Sequence, residues 1–162
     1  MMQVRITPLR EKKLVGKRLQ MSMQNNLTVP LWRSFMPLRK HIKNTVSNHL
    51  FSIEVYDSIS FFENYSPAAP FEKWAAVEVS ELATPPQDLE NFILPQGLYA
   101  VFTYVGAPSQ AAKAYQYIFT QWLPSSDYLL DARPHLCLMD ERYKGEQADS
   151  EEEIWIPVKP KH

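Results

Sequence analysis

Apolar and polar side chains alternate from Gln3 to Leu9 and again from Lys13 to Met23, and a period of two predicts two short, half-buried strands. Thr28 followed by Pro30 marks a helix start, after which Leu31, Phe35, Leu38 and Ile42 fall on one face at helical spacing. Pro37 lies inside that stretch, where its missing N–H and its ring predict a kink or an early end. Phe51, Ile53 and Val55 alternate with polar neighbours as a third strand, and Trp74 to Val79 reads as a fourth. The stretch from Leu82 to Leu94, with Pro85-Pro86 inside it, reads as a linker.

The pattern then begins again. Gly97 to Gly106 is the clearest strand of the chain, and Ser109 after Pro108 is placed to cap a helix carrying Tyr115, Ile118, Phe119 and Trp122, with Pro124 as its stop. His135 to Tyr143 and Glu153 to Val158 supply two more strands around an acidic loop from Gly145 to Glu152. Strand, helix, strand, strand thus occurs twice at an offset of roughly eighty residues, although the halves share almost no side-chain identity. The expectation is one α+β domain over 1–162, built from pseudo-repeats at about 1–82 and 92–160, with an antiparallel sheet and a ligand crevice between the halves.

Composition narrows the function. With 17 Lys and Arg against 18 Asp and Glu, the net charge of −1 gives no global attraction to nucleic acid or acidic lipid. The basic run around Arg33, Arg39, Lys40, His41 and Lys43 interleaves with core positions, as a solvated helix face does. Four glycines make no phosphate-cradling loop, and no basic recognition helix is present. Neither the histidines nor the single Cys137 has metal-ligand spacing, and Cys137 within Leu136-Cys137-Leu138-Met139 reads as a buried thiol. No metal or other cofactor is expected. The start of the chain alternates instead of showing an apolar leader, and no run is long enough to span a membrane, so the expected location is cytoplasmic.

The ending Glu153-Ile154-Trp155-Ile156-Pro157-Val158 carries chemistry. Alternation puts Ile154, Ile156 and Val158 on one face and Glu153 with Trp155 on the other. A carboxylate beside a large aromatic needs water or a cation if the strand is interior. On residue chemistry alone, an edge-exposed glutamate is the favoured reading.

A family resemblance bears on that choice. Phe92-x-Leu94-Pro95-x-Gly97-x-Tyr99-Ala100-Val101-Phe102, Trp122-Leu123-Pro124-Ser125, Tyr128-x-Leu130-Asp131-x-Arg133-Pro134 and the Glu153 to Val158 ending together resemble the GyrI-like effector-binding family, the ligand-binding module of AraC-type and multidrug-responsive transcription regulators. These motifs cover the second half densely, whereas the first half matches in its order of elements and in Leu31-Trp32-x-x-Phe35. The resemblance implies a small organic ligand, cationic or amphipathic, held between the halves by aromatic faces and one carboxylate, which the motif places at Glu153. Trp155, Trp32, Tyr56, Trp74 and Tyr117 are candidate walls of that pocket, with core packing an equal alternative for each. The DNA-binding domain that accompanies the module in regulators has no counterpart in these residues, so the expected roles are stand-alone ligand binding or partnership with a separate regulator. Two other roles stay open beside it. One is hydrolysis of a reactive small molecule with Glu153 as general base. The other is inhibition of DNA gyrase, the role of the family's namesake.

Overall fold

The computed structural model describes residues 2–162. Nine strands form one antiparallel sheet: β1 (Val4–Leu9), β2 (Lys12–Met21), β3 (Leu50–Val55), β4 (Phe71–Val79), β5 (Glu90–Leu94), β6 (Gly97–Val105), β7 (Tyr128–Leu130), β8 (His135–Met139) and β9 (Glu151–Pro160). Their order is β1-β6-β9-β8-β3-β4-β2-β5, with β7 paired to the end of β9. Each repeat contributes a block of three strands, β2-β4-β3 and β6-β9-β8, and the blocks meet where β3 pairs with β8.

The connections bend this sheet. Only Arg10 and Glu11 join β1 to β2, a length that ordinarily closes a hairpin, yet β1 pairs with β6 and β2 pairs with β5. Pro95 and Gln96 join β5 to β6 in the same exchanged way. Such links reach no more than about 10 Å, so the opposite ends of the strand order must come together at one corner. The sheet is therefore a curled trough. Gly16 sits where β2 holds both β4 and β5, and a Cβ there would collide with the Ala75 carbonyl oxygen, so a larger residue would push the strands apart.

Residues inside the trough bury Leu14, Ile53, Trp74, Tyr99, Leu136 and Trp155 against one another. The outer face carries the helices. Helix α1 (Thr28–Phe35) covers β2 and β4 with Leu31 and Phe35, and the segment containing α3 (Ala112–Tyr117) covers β6 and β9 through Ile118. Pro37 ends α1 as expected, and the chain continues as a tighter 3-10 turn over Met36–His41. The second helix departs from a single uninterrupted run. Beyond α3, Ile118–Trp122 widens into a π turn before a last α turn at Leu123–Ser125. Pro124 has no N–H for the helical ladder, and widening the preceding turn accommodates its ring. Ser109 does not cap α3; its hydroxyl bonds Glu146 at 2.5 Å.

The expected linker ends in a strand, β5, with only Phe92 and Leu94 as inward-facing apolar positions, too short a pattern to separate from a loop after Pro85-Pro86. His135 to Tyr143 shortens to β8, and the last strand extends at both ends into β9.

Candidate functional site

Strand alternation sends neighbouring residues of β9 to different environments. Glu153 faces the trough, where Trp155 Nε1 donates to Oε1 at 3.1 Å, Arg5 Nη2 donates to Oε2 at 3.1 Å, and Arg142 Nη2 lies 3.7 Å away. Arg5 also packs 5.7 Å from the centre of the Trp155 ring. This arrangement has a counterpart in the first repeat: Trp74 Nε1 donates to Glu72 at 2.6 Å, Arg18 pairs with Glu72 at 2.9 Å, and Arg18 stands 6.0 Å over Trp74. Glu-x-Trp is thus duplicated at residue level, a detail concealed in sequence by the surrounding divergence. Both carboxylates hold an indole and a guanidinium in place.

Glu152 faces the other way, toward the helices, and only 7% of it is exposed. No side chain among the described residues donates a hydrogen bond to it. Burial, reinforced by the charge of Glu54 and opposed by Lys73, pushes its carboxyl up to about 7. Around it on the same face lies the seam between the repeats. Ser52 and Glu54 of β3 pair across the seam with Cys137 and His135 of β8, and Glu54 pairs with Lys73 of β4, whose Nζ lies 2.9 Å from the Glu54 carboxylate. Tyr115 of α3 reaches Cys137 at 3.0 Å, and the charges of Glu54 and Glu152 both raise the phenol of Tyr115 and the thiol of Cys137, behind burial as the main cause.

Aromatic rings roof this floor. Tyr56 follows β3, and α2 (Ser60–Glu63) carries Phe61 and Phe62 against its ring. Phe62 stacks on Phe119 from the π turn and on His135, each at 5.1 Å. His135 is buried among these rings, which holds its imidazole neutral with its pKa lowered to about 3. The helix side of the sheet therefore combines a charged floor, a carboxylate with no side-chain donor and stacked aromatic rings from both repeats, packed against one another. Among the described residues there is no group of metal-binding side chains, and no helix is long and apolar enough to cross a membrane.

The family profile described as the GyrI-like small molecule binding domain matches residues 2–159. The chain belongs to the GyrI-like family. Solved structures of the same fold include SAV2435 bound to tetraphenylphosphonium, 14% identical, with a TM-score of 0.70 over 98% of this chain and 94% of that one. The C-terminal domain of EcmrR is 15% identical, with a TM-score of 0.73 over 99% of each chain. A hydrolase encoded by lin2189 from Listeria innocua is 10% identical, with a TM-score of 0.63 over 97% of this chain and 92% of that one. No curated protein matches the chain.

The residues expected to form one GyrI-like pocket lie in different places. Trp155 and Trp74 fill the trough, and Trp32 packs edge-on against Phe35 outside it, 5.7 Å between ring centres. Tyr117 lines an open cleft of about 640 Å³ with Tyr104, Lys113 and Glu151 at the edge near β1. Tyr56 alone of the expected walls stands over the charged floor, against Phe62 and His135. Glu54, Lys73, His135 and Glu152 escaped the sequence reading; the alternation of β3 with β8 and β9 was the available signal, but it needed the strand order to bring them together.

The Asp131-x-Arg133-Pro134 motif has a structural explanation. Arg133 ion-pairs with Asp131 at 2.9 Å, donates to the carbonyl oxygens of Leu98 at 2.6 Å and Val158 at 3.1 Å, and lies 4.8 Å over the Tyr99 ring. Its guanidinium packs so closely on Gly97 that a Cβ there would collide with Nη1. Tyr99 in turn donates to Pro134 O at 2.8 Å, and its phenol is raised to about 12 by burial. The motif clamps β6, β9 and the chain entering β8.

Proposed function

We propose that the chain binds a small, flat or bulky organic cation in a groove that opens on the helix side of the sheet, with Glu152 as the carboxylate that meets the positive charge and Tyr56, Phe119 and Tyr115 as aromatic surfaces. The observation that carries this reading is Glu152 itself: a buried carboxylate without a hydrogen-bond donor is costly as an anion and gains most from an arriving cation. Aromatic faces add cation-π attraction of about 0.5 to 2 kcal/mol and tolerate varied ligand shapes. That SAV2435 was solved with tetraphenylphosphonium agrees with a cation of this kind, and the GyrI-like membership agrees with a small organic ligand.

Glu153 is the weaker candidate for that role, because Arg5, Arg142 and Trp155 already compensate its charge. A partnership with a separate transcription regulator would give binding an output. The deciding experiment is calorimetric titration with tetraphenylphosphonium and a neutral aromatic of similar size. Preference for the cation that disappears in Glu152→Gln supports the reading, and a preference that survives it removes Glu152 from the role.

A further inference from the structure

Glu54 is as buried as Glu152, yet it cannot serve a ligand in the same way, because Lys73 lies 2.9 Å from it and is itself 9% exposed. The pair is internal to the groove floor. Its register fixes it there: Glu54 and Lys73 are direct cross-strand partners, and Glu54 is also the partner of His135 beneath the Phe62 ring. At the position of Lys73 the second repeat has Ile154, aligned by the duplicated Glu-x-Trp, so the fold itself does not need a cation here. In β9 that apolar residue fills the core against the α3 segment, whereas in β4 the equivalent position carries a buried ammonium.

Cys137 pairs with Ser52, two residues from Glu54 along β3, and with Ile154, two residues from Glu152 along β9, so the two carboxylates flank one stretch of the floor. Two carboxylates and one ammonium leave a single net negative charge. We propose that Lys73 sets the charge class of the ligand: by neutralising Glu54 it leaves Glu152 as the one uncompensated carboxylate, and the groove thereby selects singly charged over doubly charged cations. This rests on the reading of the groove as a cation site and adds the residue that determines its specificity. A second ligand charge would find the Glu54 carboxylate already matched and would meet the Lys73 ammonium, a like-charge contact that raises the cost of the wrong ligand.

The test is a charge cycle measured by titration calorimetry at about pH 8, where Glu152 is mostly ionised. Three probes share a two-ring shape: methyl-phenylpyridinium with one charge, methyl viologen with two, and neutral phenylpyridine. The natural protein should prefer the single charge by about tenfold. Lys73→Met should erase or invert that preference, and Glu54→Gln should weaken both cations by about tenfold because Lys73 is then unopposed. The double variant, with neither charge, should return to the natural preference, a recovery that a merely structural role for the pair does not produce. If one single variant, left with an unpaired buried charge, fails to fold, the other carries the test, because Lys73→Met and Glu54→Gln change the net charge of the floor in opposite senses.

A preference identical in the natural protein and the double and single variants that fold overturns the proposal while leaving the cation site standing, provided the preference for a cation over the neutral probe still disappears in Glu152→Gln. Failure of the double variant to recover the preference overturns it as well. Natural protein that binds none of the probes, or binds charged and neutral probes alike, removes the cation site and the proposal with it.

Discussion

Glu152 and Glu153 are adjacent, equally buried at 7% and 8% exposure, and chemically identical, yet they occupy different worlds. Glu153 faces the trough and is held by an indole and two guanidinium groups; Glu152 faces the helices and has burial and a second carboxylate for company. Burial alone therefore says little about the role of an acid. What distinguishes them is the set of partners, and that set is decided by strand parity, since a shift of one residue exchanges the faces of a sheet. The trough face repeats its Glu-x-Trp arrangement in both halves, as a scaffold does, whereas the groove face is asymmetric between them, with Phe71 of β4 at the place that Glu152 takes in β9. Symmetry is kept where the trough is packed, and it is lost on the face where the ligand is proposed to bind.

The strongest way to break this comparison is to neutralise each acid in turn. For a tight monocation such as tetraphenylphosphonium, Glu152→Gln should lower affinity by about a hundredfold, in the range of other desolvated charge pairs cut at one partner. Glu153→Gln should stay within about twofold. Calorimetry on both variants checks this, and the opposite outcome would move the ligand from the groove to the trough.

A smaller effect follows from pH. The Glu152 carboxyl is raised from 4.5 to about 7, so the folded protein holds this proton more tightly than the unfolded chain does. Stability from this group is thus greatest at low pH, falls as pH rises from about 4.5 to about 7, and is level above, by an amount on the order of 3 kcal/mol. A bound cation favours the ionised form, so its affinity should drop by about tenfold per pH unit below about 7 and be accompanied by proton release. The other shifted groups facing Glu152 do not titrate in this window: Tyr104, Tyr115, Tyr143 and Cys137 are all raised, and His135, farther along β8, is lowered to about 3. Calorimetry in buffers of different ionisation enthalpy reads the released proton, and Glu152→Gln should abolish both the slope and the release.

Next in size is the unequal cost of the two scaffold acids. Glu153→Gln should destabilise the fold by about 1 to 2 kcal/mol, because it weakens buried hydrogen bonds from Trp155 and Arg5. Glu72→Gln should cost about 0.5 to 1 kcal/mol, since Arg18 is half exposed and keeps Glu90 as a partner. Urea unfolding of the two variants measures the difference, and equal costs would deny that the repeats differ in burial at this position.

Much of this architecture was legible from periodicity. The helix face of Leu31, Phe35, Leu38 and Ile42, the alternation in β3, β4, β6 and β9, and the twofold order of elements all follow from where apolar residues recur. What periodicity could not convey was strand order. The exchange of β1 and β5 between repeats contradicts the hairpins that their two-residue links suggest, and only that exchange curls the sheet. The site was less legible for a related reason. The carboxylate proposed here stands one residue from the one singled out, and Glu54, Lys73 and His135 come from strands far apart in sequence that become neighbours through the β3 and β8 seam. Trp74 and Trp155, attractive as pocket walls by chemistry, were claimed by the core.

The smallest expected effect concerns the roof of the groove. Phe62 stacks on Phe119 at an interplanar angle of 19° and on His135 at 16°, the geometry a flat aromatic ligand would itself adopt against those two rings. If the ring of Phe62 holds the place of the ligand, binding must first displace it, and the observed affinity is reduced by the free energy of that displacement. Phe62→Ala removes the competitor, so affinity for a flat cation should rise by about threefold even as the protein loses some thermal stability. If Phe62 instead remains as a wall against the bound ligand, the same substitution lowers affinity. The two cases differ in sign, so one titration separates them. Against tetraphenylphosphonium, too bulky to slip between parallel rings, the gain should exceed that for a flat monocation if the whole α2 segment moves aside, and should match it if the Phe62 side chain alone rotates away.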